Sequence, residues 1–324
     1  MTNTSTTFII PVLISFFISV VLCPVVIPFL TRLKFGQFVR DDGPRSHLKK
    51  AGTPTMGGVV ILAGMLLTSL IYVGTNPDII PILFITVGFG IIGFLDDFIK
   101  VVMKRSLGLK AYQKIIAQLV ITGMYCYYLF GYLKFSTEVY IPFSNGIIVD
   151  LGWLYIPLVF IIMIGTVNSV NLTDGLDGLA SGVTVLVATF FTVVSIGIDS
   201  NITPITCAAV GSLLGFLLFN TYPARVFMGD TGSLALGGFV AATAIYLKMP
   251  IFLLIVGFIY VMETISVIIQ VGYYKVTKKR FFKMAPIHHH FELSGWNETK
   301  VVVVFCIITA ILCLVGLLAF NGFF

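Results

Sequence analysis

The sequence predicts an all-α, polytopic integral membrane protein with about ten transmembrane helices, and its composition and apolar runs are the basis. Of the 324 residues, 58% are apolar and only 10% are charged, and the mean hydropathy is +1.04. An ordinary soluble domain carries about 25% charged residues, so these values exclude a soluble enzyme. The five cysteines lack CxxC spacing, which excludes a disulfide scaffold, and we expect them to be buried as small apolar side chains.

Ten apolar runs are candidates to cross a bilayer, whose hydrocarbon core is about 30 Å thick and takes about 20 helical residues. They cover residues 8–31, 54–73, 79–97, 112–132, 154–172, 178–198, 203–221, 233–247, 250–274 and 300–321. No cation precedes the first run, so we expect an uncleaved anchor rather than a signal peptide. No linker or repeat divides the chain, so residues 1–324 are predicted to form a single transmembrane domain.

The lysines and arginines lie almost entirely on one side of these runs. Eighteen of the 20 fall in four connections, and only Lys134 and Lys248 lie on the other side. Cytoplasmic loops are enriched in Lys and Arg, so the side with 18 of these residues is predicted to be cytoplasmic. Ten spans then place both termini on the extracytoplasmic side. The net charge of +6 needs no nucleic-acid partner, because cations flanking apolar helices account for it. Two β-prone runs around Asn145 and Gly146 predict a short extracytoplasmic β-hairpin with a tight turn.

Carboxylates beside the membrane are the first candidates for chemistry, because a charge there is costly unless it is paired or used. Asp96 and Asp97 end the third run, and Lys100 follows within one helical turn. Salt bridges at the helix end are one explanation. Adjacent carboxylates repel each other, however, so the pair also suits a Mg²⁺ ion or a proton transfer. Glu263 lies inside the ninth run, far from its cytoplasmic end, and should face the bundle or a groove, as a neutral structural group or against a lipid chain.

The end of the fifth run and the segment that follows it carry a polar side chain at every third position. Asn168, Asn171, Asp174 and Asp177 would share one face wherever the chain is helical, and Gly175 favours a break in the helix. Helix capping explains one or two of these polar groups. Four together better suit a polyol or a nucleoside.

The connection between the seventh and eighth runs combines an aromatic ring, an acid and glycines. Asp230 offers a hard oxygen ligand just ahead of a helix N-terminus, or a helix cap. Phe227 suits stacking on a base. Gly229 and Gly232 allow the backbone to approach a ligand closely.

Two basic segments complete the set. His288, His289 and His290 are consecutive and cannot all face one metal ion, so donation to phosphate oxygens suits them better than zinc binding. The segment 45–58 is basic and rich in glycine and hydroxyl groups around Lys50, which suits a topology signal or a phosphate cradle. Together these motifs predict a cytoplasmic site for a diphosphate with Mg²⁺, with an anionic nucleotide as one substrate and a lipid as the other.

Five strings carry a family resemblance: SHLKKAGTPTMGG, GFLDDFIK, NLTDGLDGLA, VFMGDTGSLALGG and APIHHHFE. They closely resemble the polyprenyl-phosphate N-acetylhexosamine-1-phosphate transferase superfamily, and within it the phospho-N-acetylmuramoyl-pentapeptide transferases, over nearly the whole chain. The resemblance implies transfer of phospho-MurNAc-pentapeptide from UDP-MurNAc-pentapeptide to undecaprenyl phosphate, giving lipid I and UMP with Mg²⁺. It also implies a homodimer in the bacterial plasma membrane, surrounded by membrane lipid, with its active site on the cytoplasmic side.

The resemblance also implies roles for individual residues. Asp96 would be the base or orienting group for the lipid phosphate, with Asp97 beside it, and Asp230 would be the principal Mg²⁺ ligand. Direct attack by the lipid and a covalent phosphoryl-aspartate intermediate are both open. The positions that match uridine contacts are Asn171, Asp174, Gly175, Leu176, Asp177 and Phe227, the last stacking on uracil, and Asn168 belongs to the same polar row. The basic positions around the phosphates and sugar are Lys50, Lys100, Lys114, His289, His290 and His288, the last also a catalytic candidate.

Two rival interpretations are open. A related transferase would use UDP-N-acetylglucosamine, although the APIHHHFE string favours the muramoyl-pentapeptide substrate. A secondary transporter would also be polytopic with broken helices, but its binding groups should lie near the membrane midplane in repeated halves. Here the acidic motifs gather at one face.

Overall fold

The computed structural model describes residues 4–33, 50, 52–103 and 108–320 and is built almost entirely of α-helices. The helices are α1 (Thr4–Arg32), α2 (Gly58–Tyr72), α3 (Ile79–Val102), α4 (Ala111–Cys126), α5 (Tyr155–Thr173), α6 (Leu179–Gly197), α7 (Thr203–Asn220), α8 (Gly229–Tyr246), α9 (Leu253–Val256), α10 (Phe258–Thr277), α11 (Ile287–Glu292) and α12 (Glu298–Ala319). Parts of two predicted basic connections, residues 34–49 with 51 and residues 104–107, lie outside the described residues.

Each of the ten predicted apolar runs overlaps a helix. Among the described residues, seven helices are long and apolar enough to cross a membrane: α1, α3, α4 with the turn that follows it, α5 with the turn before it, α6, α7 and α12. Helices α9 and α10 meet at an 83° bend and make an eighth span if they are counted as one. The chain is therefore a helical membrane protein with a broken segment near its C-terminal end.

Helix α8 differs from the long apolar helices because it lies in the middle of the bundle. Its residues 231–245 are all buried, and its sequence, GDTGSLALGGFVAATAIY, is rich in small residues. A helix that contacts protein on all sides needs close packing more than strong hydropathy. At Gly237, for example, a Cβ atom would lie 2.5 Å from the Cα of Val167 on α5. The small residues of α8 thus let the neighbouring helices pack closely against it.

Two glycine contacts bring the ends of α2 and α3 against the start of α8. A Cβ atom at Gly93 on α3 would lie 2.0 Å from the carbonyl oxygen of Asp230, and one at Gly58 would lie 2.1 Å from the backbone nitrogen of Gly232. The segment before α2 also hydrogen-bonds the segment before α8, since Phe227 N–H donates to the Pro54 carbonyl at 2.8 Å. These contacts gather the motif-bearing helix ends at one end of the bundle.

A β-hairpin lies at the other end of the bundle, as predicted. Strands β1 (Glu138–Tyr140) and β2 (Ile148–Asp150) are antiparallel, with Val139 opposite Val149. The ammonium of Lys248, just after α8, lies 2.5 Å from the carboxylate of Glu138. The N–H of Phe143 donates to the carbonyl of Ala319, where α12 ends. The hairpin therefore joins the ends of α8 and α12.

The hairpin turn is longer than the tight turn predicted around Asn145 and Gly146. The N–H of Ile141 donates to the carbonyl of Ile147, which leaves five residues in the turn instead of two. Ser144 stabilises this wider turn, because its hydroxyl donates to the Ile141 carbonyl and accepts from the Ile147 N–H. Asn145 and Gly146 still have the left-handed φ angles, 54° and 90°, that favour these residue types.

Candidate active site

Three carboxylates meet where α3 and α8 pack together. Asp96 and Asp97 are buried near the C-terminal end of α3, and Asp230 is partly exposed. One ligand oxygen from each lies within 4.8 Å of the others. The sequence placed Asp230 in a loop ahead of a helix, but α8 begins at Gly229, so Asp230 lies in its first turn. The positive end of the helix dipole favours a carboxylate there.

Two lysines bridge these carboxylates. The ammonium of Lys100 lies 2.6 Å from Oδ2 of Asp96 and 3.0 Å from Oδ2 of Asp230. The ammonium of Lys114, in the first turn of α4, lies 2.9 and 2.6 Å from the same two oxygens. Helix-end salt bridging is thus present, but it joins three helices rather than one. The two positive charges offset the repulsion that three close carboxylates would otherwise feel.

Hydrogen bonds fix the direction of each carboxylate. The backbone N–H of Leu109 donates to Oδ1 of Asp96 at 2.7 Å. Thr231 donates to Oδ2 of Asp97 through both its N–H and its hydroxyl, at 2.9 and 2.8 Å. These bonds hold hard oxygen ligands in place beside two ammonium groups, an arrangement that suits a divalent cation and a phosphate.

The four members of the polar row at the end of the fifth run have different partners. Asn171 donates to Oδ1 of Asp230 and to the hydroxyl of Ser233, both at 2.9 Å, so it belongs to the acidic cluster. Asn168 lies one turn earlier on α5 and pairs with Gln118 on α4, donating to its Oε1 at 2.9 Å. The structure therefore brings Asn171 to the cluster and engages Asn168 between two helices. Its predicted binding role stays a prediction.

Asp174 follows α5 and lies beside the start of α8. Its carboxylate accepts a hydrogen bond from the backbone N–H of Gly229. Burial, and then the nearby charge of Asp230, raises the pKa of Asp174 to about 8. Both effects favour the protonated form of Asp174, which can donate a hydrogen bond to a ligand.

Asp177 belongs to a second network, together with Lys50. The Lys50 ammonium lies 2.6 Å from Oδ1 of Asp177 and 2.5 Å from Oε1 of Glu298, at the start of α12. The same Glu298 oxygen accepts the backbone N–H of Asp177 at 2.7 Å, and the N–H of Ala224 donates to the other Asp177 oxygen at 2.9 Å. Burial disfavours the charged amine of Lys50, but the two carboxylates outweigh burial and raise its pKa. Leu176, next to this network, is buried.

The three consecutive histidines have three different partners. Nδ1 of His288 lies 3.0 Å from Oε1 of Glu263, and both side chains are buried. His289 pairs with Glu292 at 2.8 Å on the same short helix, whereas Nδ1 of His290 accepts the backbone N–H of Lys283 at 3.2 Å. Only His288 therefore points into the bundle.

Glu263 faces the bundle, as predicted. It lies closer to the segment between α10 and α12 than the sequence predicts. The sequence places it inside the ninth run, far from the cytoplasmic end of that run. Helix α11 packs against α10 and brings Nδ1 of His288, from the segment between α10 and α12, within 3.0 Å of Oε1 of Glu263.

Phe227 is partly exposed beside the start of α8. Its backbone is fixed on both sides, because its N–H donates to Pro54 and its carbonyl accepts from Gly57, each at 2.8 Å. A ring on such a rigid segment can stack on a planar group with little further loss of conformational freedom.

An apolar cavity of about 320 Å³ lies between α5 and the broken α9–α10 segment. Its apolar lining includes Leu158, Ile161, Ile162, Leu254, Val261 and Ile265. Three hydroxyl side chains, those of Thr166, Ser169 and Thr264, also line it. The sequence did not predict this cavity, and the only sequence signals for it are the Pro250 and Gly257 that accompany the break.

The comparisons with known proteins agree with these motifs. The sequence profile of glycosyl transferase family 4 matches residues 79–248, and a phospho-N-acetylmuramoyl-pentapeptide-transferase signature matches residues 50–62. A phospho-N-acetylmuramoyl-pentapeptide-transferase of Caldicellulosiruptor bescii is 53% identical over 310 residues, which are 95% of this chain and 96% of that protein. Proteins of the same name from Acetivibrio thermocellus and Clostridioides difficile are 54% and 52% identical over 95% of this chain, and over 94% and 96% of their own lengths. The chain therefore belongs to the phospho-N-acetylmuramoyl-pentapeptide-transferase family, within glycosyl transferase family 4.

Proposed function

We propose that this transferase moves phospho-MurNAc-pentapeptide from UDP-MurNAc-pentapeptide to undecaprenyl phosphate, producing lipid I and UMP for peptidoglycan synthesis. The observation that carries the proposal is the cluster of Asp96, Asp97 and Asp230 bridged by Lys100 and Lys114. Phosphoryl transfer depends mainly on positioning and on stabilising negative charge, and this cluster offers groups for both.

The acidic cluster fits a Mg²⁺ ion. Three carboxylates on three fixed side chains supply the hard oxygens that Mg²⁺ prefers, and their oxygens are close enough to share one ion. We assign Asp230 as the principal ligand, because it lies in the first turn of α8 and is the more exposed of the three. When bound, Mg²⁺ supplies positive charge to the oxygens of the diphosphate.

The chain's own groups hold the two phosphate-bearing substrates. Lys100 and Lys114 neutralise phosphate oxygens. Because these lysines pair with Asp96 and Asp230, the phosphates that they contact must lie beside the acidic cluster. Asp96 is then the carboxylate that orients the lipid phosphate, while the two bonds from Thr231 keep Asp97 in place beside it. Because a phosphate monoester is already largely ionised at neutral pH, orientation matters more than removal of a proton.

The remaining motif residues suit the nucleoside and the lipid chain. The partly exposed ring of Phe227 stacks on uracil, and Asn171 and Asp174 lie near enough to the cluster to bind the uridine ribose or base. His289, His290 and Lys50 are basic groups for the phosphates and the sugar. The apolar cavity between α5 and α10 suits part of a prenyl chain, since its walls are mostly aliphatic.

The finer membrane topology is also part of the proposal. Adding the short helix α2 and the buried helix α8 to the eight longer candidates gives ten spans, and an even number places both termini on one side. The Lys and Arg distribution makes the acidic cluster cytoplasmic and the hairpin extracytoplasmic. The C-terminal end of α12 contacts the hairpin, which supports an extracytoplasmic C-terminus. We expect a homodimer in the bacterial plasma membrane.

The test is UMP release by detergent-purified protein given Mg²⁺, undecaprenyl phosphate and either UDP-MurNAc-pentapeptide or UDP-N-acetylglucosamine. Release with the muramoyl substrate alone is the expected result. Release only with UDP-N-acetylglucosamine would keep the chemistry and refute the substrate. Release that persists without undecaprenyl phosphate would refute the acceptor, and no release in a preparation that still binds UDP-sugar would refute the enzymatic proposal.

A further inference from the structure

The pair formed by Glu263 and His288 is buried but incompletely hydrogen-bonded. Oε1 of Glu263 contacts Nδ1 of His288 at 3.0 Å, and the two side chains are 0% and 1% exposed. The second atom of each group, Oε2 of Glu263 and Nε2 of His288, is buried without a hydrogen-bond partner among the described residues. An unpaired buried polar atom costs free energy, so its retention calls for a reason outside folding stability.

The free nitrogen of His288 lies against the turn between α5 and α6. A Cβ atom at Gly175 would lie only 2.2 Å from Nε2, so this turn can approach the ring because residue 175 is glycine. Asp174, the next residue back, accepts from the start of α8, and Asn171 contacts Asp230. Nε2 therefore faces the turn that leads directly to the acidic cluster.

Glu263 decides which histidine nitrogen is available there. A carboxylate that accepts from Nδ1–H fixes both the ring orientation and the tautomer, and it leaves Nε2 as the nitrogen that a ligand can meet. No other side-chain or backbone group in the described chain competes for Nε2. The pair thus has the arrangement of a carboxylate that orients an imidazole for contact with a ligand.

We propose that Glu263 is a positioning residue: by holding Nδ1 of His288, it presents Nε2 to an oxygen of the UDP-sugar bound beside the turn between α5 and α6. The inference rests on the proposed function, because the ligand is the UDP-sugar of that reaction. Glu263 itself does not touch the substrate. Its effect on turnover passes entirely through His288, which distinguishes positioning from a general contribution to packing.

A double-mutant cycle on kcat and KM of UMP release tests this. His288→Ala should lower kcat about 10²-fold, the range for loss of a group that acts on the reacting phosphate or its proton. Glu263→Gln retains an acceptor oxygen and should lose about tenfold, and Glu263→Ala should lose more, approaching His288→Ala. Adding Glu263→Gln to His288→Ala should cause no further loss, because the carboxylate then has no ring to orient. Glu138→Gln, which removes a carboxylate from an ion pair at the opposite end of the bundle, should leave kcat unchanged.

The outcomes distinguish failure of the positioning role of Glu263 from failure of the proposed transferase function. If wild-type protein releases UMP from UDP-MurNAc-pentapeptide but the losses at 263 and 288 multiply, the positioning role is refuted and the function stands. Equal losses for Glu263→Gln and Glu263→Ala would also refute it, because the retained acceptor would then be irrelevant. If wild-type protein releases no UMP, the proposed function fails and the inference fails with it. Thermal unfolding in detergent identifies any variant that has not folded. If an alanine variant fails to fold, the kcat of the near-isosteric Glu263→Gln still tests the proposal.

Discussion

The contact between Gly93 and the start of α8 leads to a prediction whose size follows from the structure. In Gly93→Ala the new Cβ atom would lie 2.0 Å from the backbone carbonyl oxygen of Asp230, whereas ordinary contact begins near 3.4 Å. The obstacle is backbone, so no side chain can rotate away from it. Helices α3 and α8 must therefore move apart by about 1.4 Å, the difference between these two distances. Asp96 and Asp97 follow Gly93 by one helical turn and would move away from Asp230 with it.

A displacement of that size at a catalytic cluster should lower kcat about 10²-fold, since a misplacement of about 1 Å can cost that much. The overpacking itself should cost about 1–3 kcal/mol of stability, so the protein should still fold. The measurement is UMP release together with thermal unfolding. The matched control is Gly88→Ala on the same helix, where the Cβ atom would lie 3.1 Å from a side-chain carbon of Ile121 and needs only a small adjustment. Turnover of Gly93→Ala equal to that of Gly88→Ala would refute the reasoning.

Three further predictions follow from other parts of the molecule. Asp230→Asn should abolish turnover, because an amide is a poorer Mg²⁺ ligand than a carboxylate; a normal kcat at ordinary Mg²⁺ concentration would contradict the metal role. Phe227→Ala should weaken UDP-sugar binding by about 1–3 kcal/mol, the scale of base stacking, and an unchanged KM would remove that assignment. At the hairpin, the hydrogen bond from Lys248 lowers the pKa of Glu138 below its ordinary 4.5, so the pair stabilises the fold above that pH and loses its effect as pH falls through the lowered pKa. The melting difference between wild type and Glu138→Gln should therefore shrink in acid, and a constant difference would show that the charge is not involved.

The helices could be predicted because the membrane imposes a simple rule on the sequence. Lipid-facing spans must be long and apolar, and runs that met this rule, such as residues 8–31 and 300–321, became α1 and α12. The start of α8 was predicted four residues too late for the same reason. Its first turn contains Gly229 and Asp230 rather than apolar residues, so a search for hydropathy begins the helix at Ser233.

The acidic cluster could be predicted in part because its members lie at the ends of consecutive or adjacent helices. The sequence motifs named all three carboxylates and Lys100, the family resemblance added Lys114, and the structure brings these five side chains together. The partners of the other motif residues could not be predicted. Glu298 meets Asp177 across 121 residues and His288 meets Glu263 across 25, and no local pattern specifies such contacts.

The contacts of Asp177 show that regular spacing along the sequence does not by itself predict which side chains share a site. A spacing of three places side chains on one face only while the helix continues, and α5 ends at Thr173. Gly178 then takes a left-handed φ of 78° before α6 begins, and Asp177 turns to Lys50 and Glu298 instead of the acidic cluster. Lys50 donates to both of these carboxylates, one of them 248 residues away. An ammonium has three N–H donors, so the third can bind a phosphate while both carboxylates stay in place. The two carboxylates repel that phosphate, however, and this repulsion limits how much the contact can add to substrate affinity.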